Sequence, residues 1–382
     1  MTGFASRVGL GVVLMATASA AGAQASLPPA APIVRDLATI VQEEGLSESE
    51  RPARELISGW KPRKVVVVGD GAPGRAEALQ AAAPGIEVVT VRSSTEAVAH
   101  MADADGLINS CSPAVIKAAR NLRWIQHMGA GIDPCIPSLR DRKDITLTNL
   151  QSVNSNALSD HVMAMTLAMM RGLDIYARQT RDGRLDRTAI PEGRMKQLRG
   201  QTMLVVGLGG IGTDVARKAH AFGMRVIATR NSGREGPDFV DYVGLADELP
   251  NLIAQADVVA MTAPLTPATT DLFNKAMFDR MKDGAIFLNI GRGGSVVQED
   301  LVAALQSGKV GGAGLDVTDP EPLPAGHPLF TAPNVLLTPH IGGDTSGTPG
   351  GREESWVVVA ENLRRYAAGE RLYNLTDVAR GY

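Results

Sequence analysis

A glycine-rich segment between two apolar runs is the first part of the sequence that could do chemistry. The run MLVV (203–206) is followed by GLGGIG, which places Gly207, Gly209 and Gly212 in G-x-G-x-x-G spacing. The first glycine allows a tight turn, the second lets a pyrophosphate approach the backbone, and the third lets a helix pack closely on the strand. The helix-like TDVARKAHAFG and the strand-like MRVIATR follow, which is the context that this motif requires. We predict a dinucleotide site formed by Gly207, Gly209, Gly210, Ile211 and Gly212.

The residue at the end of the second strand of this unit bears on the choice of cofactor. NAD sites usually carry Asp or Glu there, where the carboxylate accepts hydrogen bonds from the ribose. This sequence has Arg230, followed by Ser232 and Arg234. A guanidinium can make paired hydrogen bonds to a 2′-phosphate, although an arginine in a surface loop is the alternative interpretation. We therefore predict that NADP(H) is favoured over NAD(H).

Two series of alternating strand-like and helix-like segments would position these residues. The first begins with KVVVV (64–68) and reaches RWIQHM (123–128), and the second runs from Met203 to about His340. Short Val/Ile-rich strands that alternate with helices indicate parallel β-α-β units covered on both faces. The predicted fold class is α/β, with doubly wound parallel sheets.

The segments that flank the second series are helical in pattern. Between the two series, the stretch from about Asn156 to Arg178 is apolar nearly all round in its middle, so we expect one long buried helix there. After the second series, the amphipathic stretch GREESWVVVAENLRRYAAG (351–369) has no obvious place in a completed second sheet. We expect it to fold back onto the first domain.

Composition excludes several classes of partner. The 382 residues include 38 basic and 41 acidic side chains, which leave a formal charge of −3. This balance provides no electrostatic reason to expect nucleic acid or an anionic membrane as a partner. After the first 25 residues there is no long apolar segment that could span a bilayer, which would need roughly 20 apolar residues.

The first 25 residues have the pattern of a secretory signal peptide. Arg7 precedes an apolar run from Val8 to about Ala18, and small residues in A-x-A spacing end at Ala25. We predict cleavage after Ala25 and export to a periplasm or out of the cell. A disordered leader, or a start codon assigned too early, is the alternative and would leave a cytoplasmic protein.

Four later motifs complete a recognisable set: APLTPATT (263–270), LNIGRGGSVVQEDLVAAL (288–305), GAGLDVTDPEPLP (312–324) and LLTPHIGG (336–343). Together with GLGGIG and MGAGID (128–133), they resemble the D-isomer-specific 2-hydroxyacid dehydrogenases from about Lys64 to Tyr382. The resemblance implies two Rossmann-like domains with a cleft between them, and a homodimer. On this basis we expect a signal peptide at 1–25, a substrate domain at 26–155 and 344–382, and a dinucleotide-binding domain at 156–343.

The resemblance also implies a catalytic set. Arg292 of NIGRGG matches the arginine that holds the substrate carboxylate, Glu321 of DPEPLP matches the acidic partner, and His340 of TPHIGG matches the general acid/base. A guanidinium fits the two adjacent oxygens of a 2-keto acid, and a histidine, with an unperturbed pKa of about 6.5, exchanges protons near neutral pH. A carboxylate beside the imidazole favours its protonated form. In reduction, His340 would protonate the developing alkoxide as hydride arrives from the nicotinamide.

Supporting positions follow from the same resemblance. Ala130 and Gly131 of MGAGID would offer backbone N–H groups to the substrate carboxylate, and Asp316 of GLDV would hydrogen-bond the nicotinamide carboxamide. Backbone groups at Ala263, Pro264, Ile290 and Gly291 would line the cofactor. No metal site is predicted, and His161 is assigned no role.

The substrate and one further function class stay open. Thr318 stands where the family commonly has an aromatic residue, so the resemblance leaves small 2-keto acids such as glyoxylate or hydroxypyruvate as the expectation. A catalytically idle, dinucleotide-sensing binding protein of the same fold is the alternative to a dehydrogenase.

The two cysteines are the last open question. Cys111 and Cys135 could lie near one another at adjacent strand ends, and an oxidising compartment would permit a bond between them. We expect two buried free thiols rather than a disulfide.

Overall fold

The structure, a computed structural model, describes residues 35–69, 71–190, 194–348 and 351–382. The predicted signal peptide at 1–25 lies outside these residues. In the described ranges, no helix is both long and apolar enough to cross a membrane.

The first half of the chain forms a five-stranded parallel sheet in the order β2-β1-β3-β4-β5. Its strands are β1 (Lys64–Val68), β2 (Glu87–Val91), β3 (Gly106–Ile108), β4 (Trp124–Gln126) and β5 (Thr146–Thr148). The α-helices of this half are α1 (Leu37–Glu44), α2 (Ala53–Leu56), α3 (Arg75–Ala82), α4 (Ser94–Ala97), α5 (Pro113–Ala118) and α6 (Ile136–Leu139). The four valines of β1 are all buried, as expected of a strand that is covered on both faces.

The second half forms a seven-stranded parallel sheet in the order β12-β11-β10-β9-β6-β7-β8. Its strands are β6 (Thr202–Val206), β7 (Arg225–Thr229), β8 (Tyr242–Gly244), β9 (Val258–Met261), β10 (Ala285–Asn289), β11 (Val310–Leu315) and β12 (Val335–Leu337). The α-helices are α7 (Ser155–Met170), α8 (Leu173–Arg181), α9 (Gly210–Ala221), α10 (Leu249–Leu252), α11 (Lys275–Arg280) and α12 (Gln298–Gln306).

The strand order of the second sheet reverses at β6, which pairs with β7 on one side and with β9 on the other. In doubly wound sheets, ligands bind outside the carboxyl ends of the strands at such a switch point. The α/β class with two doubly wound parallel sheets is therefore confirmed, and the topology indicates where a ligand should lie.

The helix between the two sheets is not continuous, so the prediction of one helix from about Asn156 to Arg178 is wrong. Helix α7 ends at Met170 and α8 begins at Leu173. Gly172 between them has φ +65°, and a Cβ there would overlap the side chain of Ile190. The left-handed backbone and this close contact both require glycine, and the left-handed turn ends the helix.

The C-terminal helix α13 (Gly351–Ala368) packs on the first sheet. Its buried Tyr366 stacks on Trp124 of β4 with ring centroids 4.5 Å apart, and the tyrosine hydroxyl donates a hydrogen bond to the carbonyl oxygen of Asp105. The end of the chain thus completes the core formed by its first half.

Cys111 and Cys135 form a disulfide bond with their Cα atoms 4.9 Å apart, so the expectation of two free thiols is wrong. Cys111 follows β3 and Cys135 follows β4, and these two strands pair directly. Because the carboxyl ends of paired parallel strands share one edge of the sheet, the two loops meet. Sequence reasoning placed both cysteines near strand ends, but the burial typical of cysteine does not distinguish a thiol from a disulfide.

Candidate functional site

The site residues expected in the second half follow successive strands of one sheet. Gly207 follows β6, Arg230 follows β7, Ala263 follows β9, Arg292 follows β10, Asp316 follows β11 and His340 follows β12. Because all these strands are parallel, their carboxyl ends lie along one edge of the sheet. Six residues from separate parts of the sequence therefore converge on a single edge.

The three motif glycines are required for three different physical reasons. Gly207 has φ +103°, and a Cβ there would lie 2.7 Å from the Cα of Ala263 across the switch point. A Cβ at Gly212 would overlap the carbonyl oxygen of Gly207, so the third glycine allows α9 to approach the turn. A Cβ at Gly209 would meet no protein atom within 4 Å. That open space before the N-terminus of α9 fits a pyrophosphate, which would approach the backbone N–H groups.

A cavity of about 350 Å³ continues from this turn. Gly207, Gly209, Ala263 and Pro264 line it together with apolar side chains and the C-terminal Tyr382, which sequence reasoning did not identify. Arg230 and Ser232 line it as well, and none of the described residues that line it is acidic. The carboxylate that would bind the ribose hydroxyls of NAD is therefore missing from this lining.

Of the three residues predicted after the second strand of the dinucleotide unit, Arg230 and Ser232 line the cavity, but Arg234 is engaged elsewhere. The Nε of Arg230 donates to the Ser232 hydroxyl over 2.9 Å, and both residues line the cavity. Arg234 instead forms an ion pair with Glu248 over 2.8 Å. Hydrogen bonds to Glu248 lower the pKa of its carboxyl group to about 2, and the bond from the Tyr242 hydroxyl has the largest effect. The carboxylate thus stays charged and retains Arg234.

His340 and Glu321 form a short polar contact at the edge. The Nδ1 of His340 lies 2.6 Å from Oε1 of Glu321, and the two side chains are 45% and 40% exposed. This exposure leaves the other ring nitrogen, Nε2, open to a reactant. His340 has φ +54°, so the turn that carries it is held in an uncommon backbone conformation.

Asp316 holds that turn. Its Oδ1 accepts hydrogen bonds from the Thr338 hydroxyl and the Ile341 backbone, and its Oδ2 accepts one from the Gly342 backbone. His340 in turn donates its backbone N–H to the carbonyl oxygen of Asp316 over 2.8 Å. Both carboxylate oxygens already have partners inside the protein, so the expected bond from Asp316 to a nicotinamide carboxamide stays a prediction.

His161, to which the sequence assigned no role, supports the same network. Its Nε2 lies 3.0 Å from the Thr338 hydroxyl. The contact joins α7 to the end of β12, and the separation of 177 positions along the chain hid it from sequence reasoning.

The guanidinium of Arg292 spans from the second sheet to the loop after β4. Its Nε donates to Oδ1 of Asp133 over 2.9 Å, and its Nη1 donates to the carbonyl oxygen of Gly291 over 2.8 Å. Its Nη2 lies where a Cβ of Gly131 would be, so only glycine leaves room for it. Asp133 was missed although it stands within the MGAGID motif, because nothing local indicates a partner 159 residues away.

The remaining predicted positions divide between the edge and the core. Ala130 is exposed in the loop next to Gly131, and its carbonyl oxygen accepts a hydrogen bond from Asn149. Gly291 donates its backbone N–H to Asn289, which shapes the turn before Arg292. Ile290 is buried in the core beneath the strand ends, and the half-buried Ile211 packs against the same cluster. Gly210 lies against Ser152, whose hydroxyl would overlap any Cβ there.

The described residues contain one group whose types and spacing could suit a metal ion, formed by Cys111, His127 and Cys135. The two sulfurs are bonded to each other, so neither is a thiolate. Because the thiolate is the form of cysteine that binds metals, this state of the cluster offers a metal only one ordinary ligand.

Comparison with known proteins agrees with this geometry. Residues 163–342 match the family "D-isomer specific 2-hydroxyacid dehydrogenase, NAD binding domain". The chain is 33% identical over 269 residues to a glyoxylate/hydroxypyruvate reductase B of Citrobacter koseri, covering 69% of this chain and 82% of that protein. It is 33% identical over 275 residues to a human glyoxylate reductase/hydroxypyruvate reductase, covering 71% and 83%.

A solved structure is similar over most of the fold. The D-isomer specific 2-hydroxyacid dehydrogenase of Xanthobacter autotrophicus Py2, in complex with NADPH and MES, superposes with a TM-score of 0.70 at 28% identity, covering 84% of this chain and 100% of that one. The switch-point glycine turn and these matches define an NAD(P)-dependent oxidoreductase. The chain belongs to the D-isomer-specific 2-hydroxyacid dehydrogenase family.

Proposed function

We propose that this enzyme reduces a small 2-keto acid to the D-2-hydroxy acid and uses NADPH as the hydride donor. The observation that carries the proposal is the 2.6 Å contact between His340 and Glu321, on the sheet edge where the glycine turn and Arg292 also lie. A proton donor, a cationic fork and a dinucleotide cradle on one edge are the parts that this reaction requires.

Arg292 binds and orients the substrate in this proposal. Asp133 and the Gly291 carbonyl hold Nε and Nη1, which leaves Nη2 for the substrate oxygens. The planar guanidinium spans the carboxylate and the C2 oxygen of a 2-keto acid, and withdraws electron density from C2. The backbone of the exposed Ala130 and the half-buried Gly131 would add N–H donors to the carboxylate.

His340 supplies the proton. Its Nδ1 faces Glu321, so Nε2 is the nitrogen left for the substrate. The carboxylate accepts the Nδ1 hydrogen and fixes the orientation of the ring. A reduced nicotinamide, when bound, would supply the hydride that C2 accepts. The Nε2 proton goes to the C2 oxygen, so the keto acid gains one hydride and one proton in total.

The cavity residues fit a phosphorylated dinucleotide. The space at Gly209 accommodates a pyrophosphate, and Arg230 with Ser232 would meet a 2′-phosphate where an acidic residue would repel it. The similar enzyme from Xanthobacter autotrophicus was solved in complex with NADPH. Arg230→Ser should therefore raise the KM for NADPH by about tenfold or more, because the variant loses a charge-assisted hydrogen bond to the 2′-phosphate. The KM for NADH should stay nearly unchanged. A wild-type enzyme that uses NADH as efficiently as NADPH would contradict the preference.

The proposal is tested by following nicotinamide absorbance with NADPH and NADH in separate assays. Glyoxylate and hydroxypyruvate, the substrates in the names of two relatives, are compared with pyruvate and an aryl 2-keto acid. Oxidation of NADPH with one of the small acids is the expected result. Tight dinucleotide binding without turnover of any acid would instead favour the catalytically idle binding protein.

We further propose a homodimer and the domain division given above, with a substrate domain at 26–155 and 344–382. The packing of α13 on the first sheet supports the division. Leu173 and Leu185 are 56% and 77% exposed in the segment after α7, which supports an apolar contact with a second copy. Sedimentation equilibrium at micromolar concentration should yield twice the chain mass of 40.2 kDa. A single-chain mass would contradict the homodimer.

We also propose export. The leader pattern and the disulfide support it, since disulfides persist in oxidising compartments. Sequencing of the secreted or periplasmic protein should find Ser26 at its N-terminus, whereas an intact Met1 in a cytoplasmic fraction would contradict the proposal.

A further inference from the structure

The Cys111–Cys135 disulfide closes the segment that holds Arg292. Between the two cysteines, Asp133 accepts the hydrogen bond from Nε of Arg292, and Gly131 leaves room for Nη2. Asp133 stands only two residues before Cys135. The covalent bond therefore constrains the backbone next to the contacts that orient the guanidinium.

The two sulfurs differ in their access to solvent. Cys135 is fully buried, whereas Cys111 is half-buried and lines an open cavity of about 370 Å³ with Ser110, Ser112 and His127. A small reductant in this cavity can reach Cys111 but not Cys135. Attack therefore falls on the sulfur of Cys111, and the sulfur of Cys135 leaves.

His127 lies beside the attacked sulfur. Its Nδ1 lies 3.9 Å from Sγ of Cys111. Burial, with a smaller effect of Arg292 in the same direction, lowers the pKa of His127, although Asp133 opposes this. A neutral imidazole provides no positive charge to stabilise a thiolate.

We propose that Cys111–Cys135 is a redox modification site at which a dithiol reductant weakens substrate binding by releasing the segment that orients Arg292. One thiolate of the reductant attacks Sγ of Cys111, and Cys135 leaves as a thiolate and takes up a proton. The second thiol of the reductant then displaces Cys111. The reductant is oxidised to a cyclic disulfide, and the protein gains two electrons and two protons.

The effect falls on the substrate and not on the dinucleotide. The glycine turn, Arg230 and the His340–Glu321 pair all follow strands of the second sheet, and their hydrogen bonds join residues of that half. Reduction therefore leaves dinucleotide affinity unchanged and raises the KM for the keto acid more than it lowers kcat. This inference rests on the proposed function.

The sequence contains only these two cysteines, so no other thiol can react with the reductant. The full chain is compared in oxidised form and after dithiothreitol, with zero and two thiols verified by titration. We expect reduction to raise the KM for the keto acid about fivefold or more, with an unchanged Kd for NADPH. The double variant C111S/C135S should match the reduced form and should not respond to the reductant. Equal KM values in the two states of the wild type would overturn the proposal.

A second measurement separates this inference from the proposed function. Hydrogen exchange of the amides of residues 129–133 should quicken on reduction, while those of residues 207–212 keep their rates. If no keto acid is turned over in either state, the proposed function fails. Hydrogen exchange at residues 129–133 then still tests whether reduction releases this segment. Unchanged exchange at 129–133 would overturn the inference even in an active enzyme.

Discussion

The Nδ1 of His340 lies 2.6 Å from Oε1 of Glu321, although Glu321 follows β11 and His340 follows β12. The contact thus joins two loops at the carboxyl edge of paired strands, and Asp316 holds the turn on the histidine side. A histidine fixed in this way presents one nitrogen to its carboxylate, and the proposed role as general acid/base assigns the other nitrogen to the substrate.

Removal of the His340 imidazole should abolish most turnover. We expect His340→Ala to lower kcat by about 10²–10⁴-fold, the usual contribution of general acid/base catalysis, with an unchanged Kd for NADPH. His220→Ala is the matched control, because His220 is an exposed histidine on α9. Steady-state kinetics and dinucleotide titration measure both effects. Near-native kcat in His340→Ala would exclude the proposed proton donor.

A side chain at Gly209 should block the dinucleotide without harming the fold. Because a Cβ there meets no protein atom within 4 Å, the free energy of unfolding of Gly209→Ala should change little. The Kd for NADPH should rise about tenfold or more, since the methyl group enters the space assigned to the pyrophosphate. Gly85→Ala, where a Cβ also meets open space, is the control. Equal NADPH affinity in the two variants would show that the dinucleotide lies elsewhere.

Displacement of Arg292 should damage substrate use. In Gly131→Ala the new methyl group overlaps Nη2 of Arg292, so the guanidinium must move. We expect a loss of about 10²-fold in kcat/KM for the keto acid, because a displacement of a substrate-positioning group by about 1 Å can have an effect of this size. The affinity for NADPH should change little. Arg292→Lys should lose as much, because an ammonium cannot replace the fork. A Gly131→Ala enzyme with native kcat/KM would contradict the assigned position of the substrate.

The burial of His127 should make stability fall in acid. Burial lowers its pKa in the folded protein, so the unfolded chain binds this proton more tightly. The contribution is fully present at pH values above the ordinary histidine pKa of about 6.5, and is lost as the pH drops below it. Urea unfolding at pH 7.5 and pH 5.5 should therefore show a smaller acid-induced loss in His127→Asn than in the wild type. An equal loss in both proteins would show that titratable groups other than His127 cause the acid-induced loss of stability.

Much of the fold follows from local sequence patterns. The Val-rich run of β1 and the strand-turn-helix around Gly207 depend on neighbours a few residues apart, so periodicity and glycine spacing predicted the parallel strands that the structure contains. One local feature escaped this reasoning. The apolar pattern through Gly172 continues across the break between α7 and α8, and only the contact with Ile190 reveals why the chain turns there.

The sequence by itself determined the class of the fold and the residue types at each strand end, because these are set by short-range periodicity, turn chemistry and recognisable motifs. Only the tertiary structure decided which of those residues are partners. It paired Arg292 with Asp133 and His161 with Thr338, turned Arg234 toward Glu248, and joined Cys111 to Cys135. Such partners are chosen by the order and register of the strands and by the space between their loops. These properties depend on the packing of the whole chain, so no local stretch of sequence contains them.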